Sequence, residues 1–318
     1  MKIVALGTSE FLACCVRGFV RSGEHQIVEI IALSAAVSPD NSVDLTPVCR
    51  ELSITYKEVE DINSPVVKSH LRSLAPDIIF SAWPRILDAE VLTIPTLGVI
   101  GSHPTALPFN RGRHPLHWQI VLGLTASKLS FFWMNEGVDS GPVILQTSYA
   151  IDPQDTIVSL NQRVNDLGYL GCSVLSALFL EESISSAQPQ NRKHANVWRK
   201  RDRHDVLIDF RMNGDAILAL VRSFTEPYPC ASFLFEKNYF QVISGEKINL
   251  DTSVPIQYFE PGYVLQLSDQ TLCVKVADSV LRLKLKQNME SFINGACKYI
   301  HPATRYLAKY PELACLFT

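Results

Sequence analysis

Residues 1–180 alternate short apolar runs with longer segments in which apolar side chains recur at helical spacing, and this alternation constrains the fold most strongly. The runs have the length of buried strands, and the intervening segments have the length of helices. The pattern predicts an α/β domain with a Rossmann-like, doubly wound and mostly parallel sheet. In such sheets ligands bind beyond the carboxyl ends of the strands, so the functional site is expected there. Strands are expected at 1–7, 27–33, 77–81, 97–100, 127–134 and 143–150.

The pattern changes after a long helix predicted to end near Phe179. The stretch that follows is rich in Lys and Arg and holds no long apolar run, which is typical of an exposed linker. One helix, at 214–223, comes next, followed by five short alternating strands that predict a small, OB-like β-barrel. These strands are expected at 232–235, 240–244, 262–267, 271–276 and 280–285. The expected organisation is an α/β domain at 1–190, a basic linker at 191–205, the barrel at 206–288 and a tail at 289–318. The tail carries Tyr299, Tyr306, Tyr310, Leu313 and Phe317 and is expected to pack on a partner surface, for example in a homodimer.

Charge and cysteine content exclude several classes of function. The net charge of −3 provides no global attraction to nucleic acid or to an anionic membrane. The eight cysteines are scattered without a C-x-x-C pair, and no secretory segment is recognised, so we expect reduced thiols in a cytoplasmic protein. His114 and His117 lack a third clustered ligand, so no metal is expected. No apolar run reaches the ~18 residues that a spanning helix requires.

Two turns that follow strands carry the candidate chemistry. Gly101 to Pro108 contains His103, and Asn135 to Pro142 contains Asp139. A histidine can relay a proton near neutral pH, and a nearby carboxylate can orient its ring. Taken singly, a turn histidine and a turn aspartate are more often structural. Because both follow strands of one predicted sheet, they are expected to act together as a proton-relay pair.

The two turns, read as Gly101-x-His-Pro-Thr-Ala-Leu-Pro and Glu136-Gly-Val-Asp-Ser-Gly-Pro, resemble the signature of the folate-dependent formyltransferases. The resemblance covers nearly all of residues 1–285 and implies 10-formyltetrahydrofolate as the formyl donor. It also implies that His103 and Asp139 are catalytic. The asparagine that completes the family's triad is replaced here by Gly101. Asn110, in the same loop, is a candidate substitute for stabilising the oxyanion, although it could simply begin a turn.

By the same resemblance, the folate pocket is formed by three segments. The segment after the strand at 77–81 faces the pterin, with Arg85 available to the glutamate tail; Ile86 and Leu87 are either apolar walls or core. The catalytic turn and the aspartate turn complete the pocket, with Val138 at the apex of the latter. The predicted folate-binding residues are Trp83, Pro84, Arg85, Ile86, Leu87, Gly101, Ser102, Glu136, Gly137 and Val138.

The acceptor is predicted from charge. In the family's tRNA enzymes a basic insertion follows the second strand, whereas residues 34–49 here contain no Lys or Arg. A small phosphorylated amine fits better, because two arginines follow the catalytic loop. The predicted acceptor-binding residues are Pro104, Arg111, Gly112, Arg113 and His114, with His117 and Trp118 as further candidates. The hypothesis is formylation of a nucleotide-linked amino sugar of the kind used in surface polysaccharides. The alternatives are methionyl-tRNA formylation and an inactive or hydrolytic relative that has lost transfer.

Overall fold

The computed structural model describes residues 1–180, 187–289, 299–310 and 312, and they divide into two compact units. One unit contains 1–115, 125–151 and the described part of 160–199, and the other contains 116–124, 152–159 and the described residues from 200 onward.

The strands and helices of the α/β part follow the predicted alternation closely. The strands are β1 (Lys2–Gly7), β2 (Gln26–Leu33), β3 (Thr55–Val59), β4 (Ile78–Ala82), β5 (Gly98–His103), β6 (Arg111–Gly112), β7 (Ala126–Trp133), β8 (Val143–Ala150) and β9 (Val197–Trp198). The helices are α1 (Glu10–Val20), α2 (Thr46–Leu52), α3 (Pro65–Leu74), α4 (Ala89–Leu92), α5 (Pro115–Val121) and α6 (Ile157–Leu180).

Seven of these strands form one sheet in the order β3-β2-β1-β4-β5-β7-β8. The first five run parallel, and β7 and β8 run antiparallel to their neighbours. The predicted mostly parallel α/β fold is therefore confirmed. Strands β4 and β5 are neighbours, with Ser81 paired to Gly101, so the segments that leave their carboxyl ends start side by side.

Local sequence explains where the helices begin and how closely they pack. Ser64 caps α3 by accepting a hydrogen bond from the Val67 amide, and proline occupies the first helical position. Helix α6 lies so close to β7 that a Cβ on Gly171 would stand 2.3 Å from the Phe131 ring. Glycine is what permits this approach.

The C-terminal unit is built on a second, antiparallel sheet in the order β10-β11-β14-β13-β12, which confirms the predicted small barrel-like domain. Its elements are α7 (Gly214–Ser223), β10 (Ser232–Phe235), β11 (Asn238–Ile248), β12 (Val264–Ser268), β13 (Thr271–Lys275), β14 (Val280–Leu285) and α8 (Ala303–Lys309). The inward side chains, with those of α7, form one continuous apolar core.

Two expectations about the C-terminal half are refined by the structure. Tyr306 lies in the core of its own unit at 3% exposure, so this ring packs within the chain; packing of the tail on a partner stays a prediction. Leu313 and Phe317 lie outside the described residues. The basic linker is not simply exposed either, because Arg201 is 5% exposed and lies against the Trp118 ring, 4.9 Å from its centroid. Strand β9 within that linker pairs with β6.

Among the described helices, none has both the length and the apolar character needed to cross a lipid bilayer.

Candidate active site

The candidate site begins where β5 ends. His103 is its last residue and is 5% exposed. The turn that follows is held by polar side chains of the neighbouring strands: Ser130 donates to the Thr105 carbonyl at 2.5 Å, and Gln146 donates to the Leu107 carbonyl at 3.0 Å. These bonds satisfy buried carbonyls and fix the turn that presents the imidazole.

The two ring nitrogens of His103 have different neighbours. Nε2 lies 2.9 Å from the carbonyl oxygen of Asn110, and Nδ1 lies 3.6 Å from Oδ2 of Asp139. A carbonyl can only accept, so Nε2 carries the hydrogen of the neutral ring. Nδ1 is then the nitrogen able to take up a proton, and it faces the carboxylate. The distance of 3.6 Å exceeds a hydrogen bond, a gap that catalytic pairs commonly close when substrate binds.

Asp139 is held in an unusual backbone conformation. Its φ of 46° lies in the left-handed region, which residues other than glycine occupy uncommonly, with asparagine, aspartate and histidine the most frequent among them. Oδ2 accepts a hydrogen bond from the Gly112 amide at 2.9 Å, and the Asp139 carbonyl accepts one from Gln190 at 2.9 Å. The carboxylate that faces the histidine is therefore positioned by contacts on both its side chain and its backbone.

Asn110 lies beside His103 and also has a positive φ, of 62°. The backbone amide of Asn110 donates to Oδ1 of Asn196 at 2.8 Å, and the side-chain Oδ1 of Asn110 accepts from Nδ2 of Asn196 at 3.1 Å. This pairing holds the carboxamide by its oxygen, so Nδ2 is the end left to meet another acceptor. Asn196 and Gln190 are site residues that sequence reasoning missed, since both lie in or next to the predicted linker and carry no motif.

Gly101 stands where the family has its third triad residue, and its surroundings leave little room for a side chain. A Cβ there would lie 2.9 Å from Cγ of Met134 and 3.0 Å from Cζ of Phe132. Carbon atoms in ordinary contact are about 3.5–4.0 Å apart. The space next to Gly101 is therefore already filled by two apolar side chains.

The segment after β4 is tied to its neighbours by Arg85. The guanidinium donates to the carbonyl of Glu60 at 3.1 Å and to that of Val37 at 2.7 Å, and so links the segments that follow β2, β3 and β4. Leu87 is 4% exposed and belongs to the core beneath the sheet, whereas Ile86 is 75% exposed. Leu87 is therefore a core residue, and of these two side chains only Ile86 offers an exposed apolar surface to a ligand.

Trp83, at the start of the same segment, has a buried indole nitrogen. Among the described residues this Nε1 has no hydrogen-bond partner. A buried N–H without an acceptor is costly, so it marks a place where a ligand oxygen would be stabilised.

The two arginines beyond the catalytic turn have different environments. Arg111 is buried, and its Nε and Nη2 donate to Oε1 of Gln190 at 3.2 and 2.7 Å. Burial lowers the pKa of the Arg111 guanidinium, while the charge of Asp139 opposes this shift. Arg113 is exposed, and its Nη1 donates to the Pro84 carbonyl at 3.2 Å. Arg113 is therefore the more accessible of the two cations.

The remaining predicted acceptor residues fall into two groups. Pro104 lies in the turn at 101–108 and His114 lies directly after Arg113. Both are partly exposed, and the Pro104 carbonyl accepts from the Tyr149 hydroxyl at 2.8 Å. His117 does not belong with them. Its Nδ1 lies 2.6 Å from the Ser223 carbonyl and its ring stacks on Phe224, so it is part of the core of the C-terminal unit.

The aspartate turn presents its apex to solvent. Asn135 closes the turn by accepting from the Gly137 amide and from Ser140, at 3.1 and 2.8 Å. Val138 is 53% exposed, Glu136 is exposed, and Ser102, on β5, is partly buried. Within the described ranges no three His, Cys, Asp or Glu side chains come close enough together to hold a metal ion.

Comparisons with known proteins agree with this geometry. Residues 1–174 match the formyl transferase family, and residues 200–296 match the formyl transferase C-terminal domain. The methionyl-tRNA formyltransferase of Desulforamulus reducens is 25% identical over 291 residues, which is 89% of this chain and 89% of that protein.

Solved structures share the fold at low sequence identity. An N-formyltransferase from Helicobacter canadensis, in complex with folinic acid and dTDP-3-aminofucose, superposes with a TM-score of 0.64 at 15% identity, over 90% of this chain and 99% of that one. HypX from Aquifex aeolicus, in complex with tetrahydrofolic acid, superposes with a TM-score of 0.61 at 17% identity, over 97% of this chain. This chain spans only about half, 47%, of HypX. Because the family match covers more than half of its 318 residues, the chain belongs to the formyl transferase family of formyl-folate-dependent one-carbon transferases.

Proposed function

We propose that this protein transfers a formyl group from 10-formyltetrahydrofolate to the amine of a nucleotide-linked amino sugar. The proposed acceptor rests on one observation: Arg113 is an exposed cation that lies shortly after the turn at 101–108, which contains His103. A guanidinium there suits the pyrophosphate of such an acceptor. Residues 34–49 contain no Lys or Arg, so this segment provides no positive charge for binding the phosphates of a tRNA.

The donor would bind between the segment after β4 and the aspartate turn. The exposed side chains of Ile86 and Val138 suit the apolar faces of a folate, and Nε1 of Trp83 is a buried donor in need of an acceptor. When bound, the donor supplies the formyl carbon as the electrophile. Arg85 is already engaged with two carbonyls, so a role at the glutamate tail would draw on its remaining N–H groups.

In this proposal the chain's own residues handle one proton and one developing negative charge. His103 would take the proton of the attacking amine at Nδ1, where Asp139 then faces the charged ring, and would return it to the donor nitrogen as the bond between that nitrogen and the formyl carbon breaks. Asn110 donates from Nδ2 to the formyl oxygen as it becomes negative, in place of the family asparagine absent at Gly101. Arg113 holds the phosphates and Arg111 stays within the wall of the site.

The test is a mass-spectrometric screen of amino-sugar nucleotides with the formyl donor. The expected product is an N-formyl sugar nucleotide, and His103→Ala should abolish it. Absence of any formamide product across the screen, with folded and folate-binding protein, would refute the acceptor. Release of free formate in its place would identify the hydrolytic relative. Genes for surface polysaccharides next to this one would support the proposal independently.

Methionyl-tRNA is the second candidate acceptor, favoured by the curated relatives that carry this name. A gel shift with initiator tRNA at physiological salt separates the two. Tight binding of the tRNA, followed by formylation of its methionyl group, would overturn the sugar proposal. A homodimer remains a separate prediction, to be checked by light scattering at dilute concentration.

A further inference from the structure

We propose that Gln190 is a positioning residue that holds the catalytic carboxylate of Asp139 in place by linking its turn to Arg111. This inference rests on the catalytic role proposed above for Asp139. Gln190 lies at the edge of the segment predicted as a linker and carries no motif.

The Gln190 side chain makes four hydrogen bonds within one compact unit. Its oxygen accepts from Nε and Nη2 of Arg111, at 3.2 and 2.7 Å. Its nitrogen donates to the carbonyls of Asp139 and Gly141, at 2.9 and 2.7 Å. Both ends of the amide are used, so its orientation is fixed: the oxygen must face the guanidinium and the nitrogen must face the turn.

Those bonds act where the turn is least favourable by itself. Asp139 has a φ of 46°, a conformation that costs a non-glycine residue roughly 1–2 kcal/mol. Both carbonyls that Gln190 engages lie on the C-terminal side of this strained torsion, so the side chain restrains the backbone that leaves Asp139. Without it the turn would relax, and Oδ2 would leave its position 3.6 Å from Nδ1 of His103.

Arg111 supplies the fixed end of this link. Its side chain is buried, so it cannot move to solvent when the turn moves. The backbone next to it is anchored as well, since β6 pairs with β9 and the Gly112 amide donates to Oδ2 of Asp139 at 2.9 Å. A closed loop of contacts therefore runs from Arg111 through Gln190 to Asp139 and back through Gly112.

Gln190→Glu is the sharpest test, because it keeps the shape and the Arg111 contact, while it replaces the donor by an acceptor and adds one negative charge. Gln190→Met, which removes the donor without adding a charge, separates these two effects. In Gln190→Glu a carboxylate oxygen would face the carbonyls of Asp139 and Gly141, which repel it. Formyl transfer is expected to fall about 100-fold in kcat, the scale of a 1 Å misplacement, with donor KM nearly unchanged. The control is Asn191→Ala, which removes a neighbouring side-chain amide whose oxygen accepts from the Lys193 backbone amide, and it should retain full activity.

A second readout needs no acceptor. With ¹⁵N-glycine labelling the protein gives 15 glycine resonances, and the Arg–Gly steps at 17–18 and 111–112 are picked out by carbonyl labelling of arginine. The Gly112 amide reports the Asp139 carboxylate directly. Gln190→Glu should shift its proton upfield and speed its exchange, whereas Asn191→Ala should not. If Gln190→Glu fails to fold, Gln190→Met removes all four bonds at similar size and should give the same shift.

The outcomes separate this proposal from the proposed function. An unchanged Gly112 resonance overturns the positioning role whatever the acceptor is. A shifted resonance supports it even if no amino sugar is formylated. Once an acceptor is found, Gln190→Glu should cost little further activity in an Asp139→Asn background, because the lost interaction acts through that carboxylate. A full and additive loss in that background would refute it.

Discussion

Gly101→Ala is expected to destabilise the α/β unit, although the change adds a single methyl group. That methyl would stand 2.9 Å from Cγ of Met134 and 3.0 Å from Cζ of Phe132. Relief needs a shift of about 0.6 Å, since carbon atoms rest about 3.5 Å or more apart.

Overpacking of this kind costs about 1–3 kcal/mol. The alanine recovers about 0.4–1 kcal/mol by restricting the unfolded chain, because Gly101 has an ordinary negative φ. The net loss is therefore between about 0 and 2.6 kcal/mol, and its middle value of about 1.3 kcal/mol corresponds to a fall in Tm of about 3–5 °C for a unit of this size. Gly101→Asn, which restores the family residue, should cost more because its amide is larger and polar.

The assay is thermal unfolding followed by circular dichroism, repeated for Met134→Ala and for the double variant. Removing the Met134 side chain makes room, so the double variant should be more stable than the sum of the single changes by about 1 kcal/mol. A Gly101→Ala protein that melts at or above the wild-type temperature would refute the reasoning. So would strictly additive effects, since they would show that Met134 is not the obstacle.

Four further outcomes are expected. His103→Ala should lower kcat by about 100-fold or more while leaving donor binding intact, measured by turnover and by folate titration. Asn196→Ala releases the Asn110 carboxamide and should lower kcat about tenfold with little change in Tm; an unchanged rate would remove Asn110 from the mechanism. Tyr306→Ala should cost roughly 3 kcal/mol in urea unfolding, because the ring is buried in its own unit; a negligible loss would mean that the tail does not pack there in solution. The hydrogen bond from Arg211 holds the pKa of Asp209 below its usual value, so this carboxylate stabilises the fold above about pH 4. The stabilisation is lost as the pH falls through the lowered pKa. Asp209→Asn should therefore be less stable than wild type at pH 7, and the difference in unfolding free energy should shrink toward pH 3.

Strands β1, β2, β4 and β7 were predicted to within one residue at each end, because an apolar run ends where burial ends, whereas β5 runs three residues past its expected end, through Gly101 and Ser102 to His103. Strand β11 shows the limit of this rule. Its expected span, 240–244, ends soon after its side chains become exposed, whereas the strand continues to Ile248 through exposed residues that pair with β14 and include the Glu246–Arg282 ion pair. The antiparallel direction of β7 was also not readable, since a fully buried strand has the same pattern in either direction.

For the site, the sequence by itself determined the chemistry. His103 and Asp139 lie in motifs whose residue types and turn glycines identify the family, and the missing asparagine at Gly101 is equally visible in the chain. Tertiary structure alone decided how these residues are held. Gln190 and Asn196 come from a segment far along the chain, and a hydrogen bond between amides leaves no periodic or compositional trace in sequence. The space beside Gly101 is likewise set by the positions of Phe132 and Met134 on the neighbouring strand and just beyond it, because packing depends on distances that residue order does not specify.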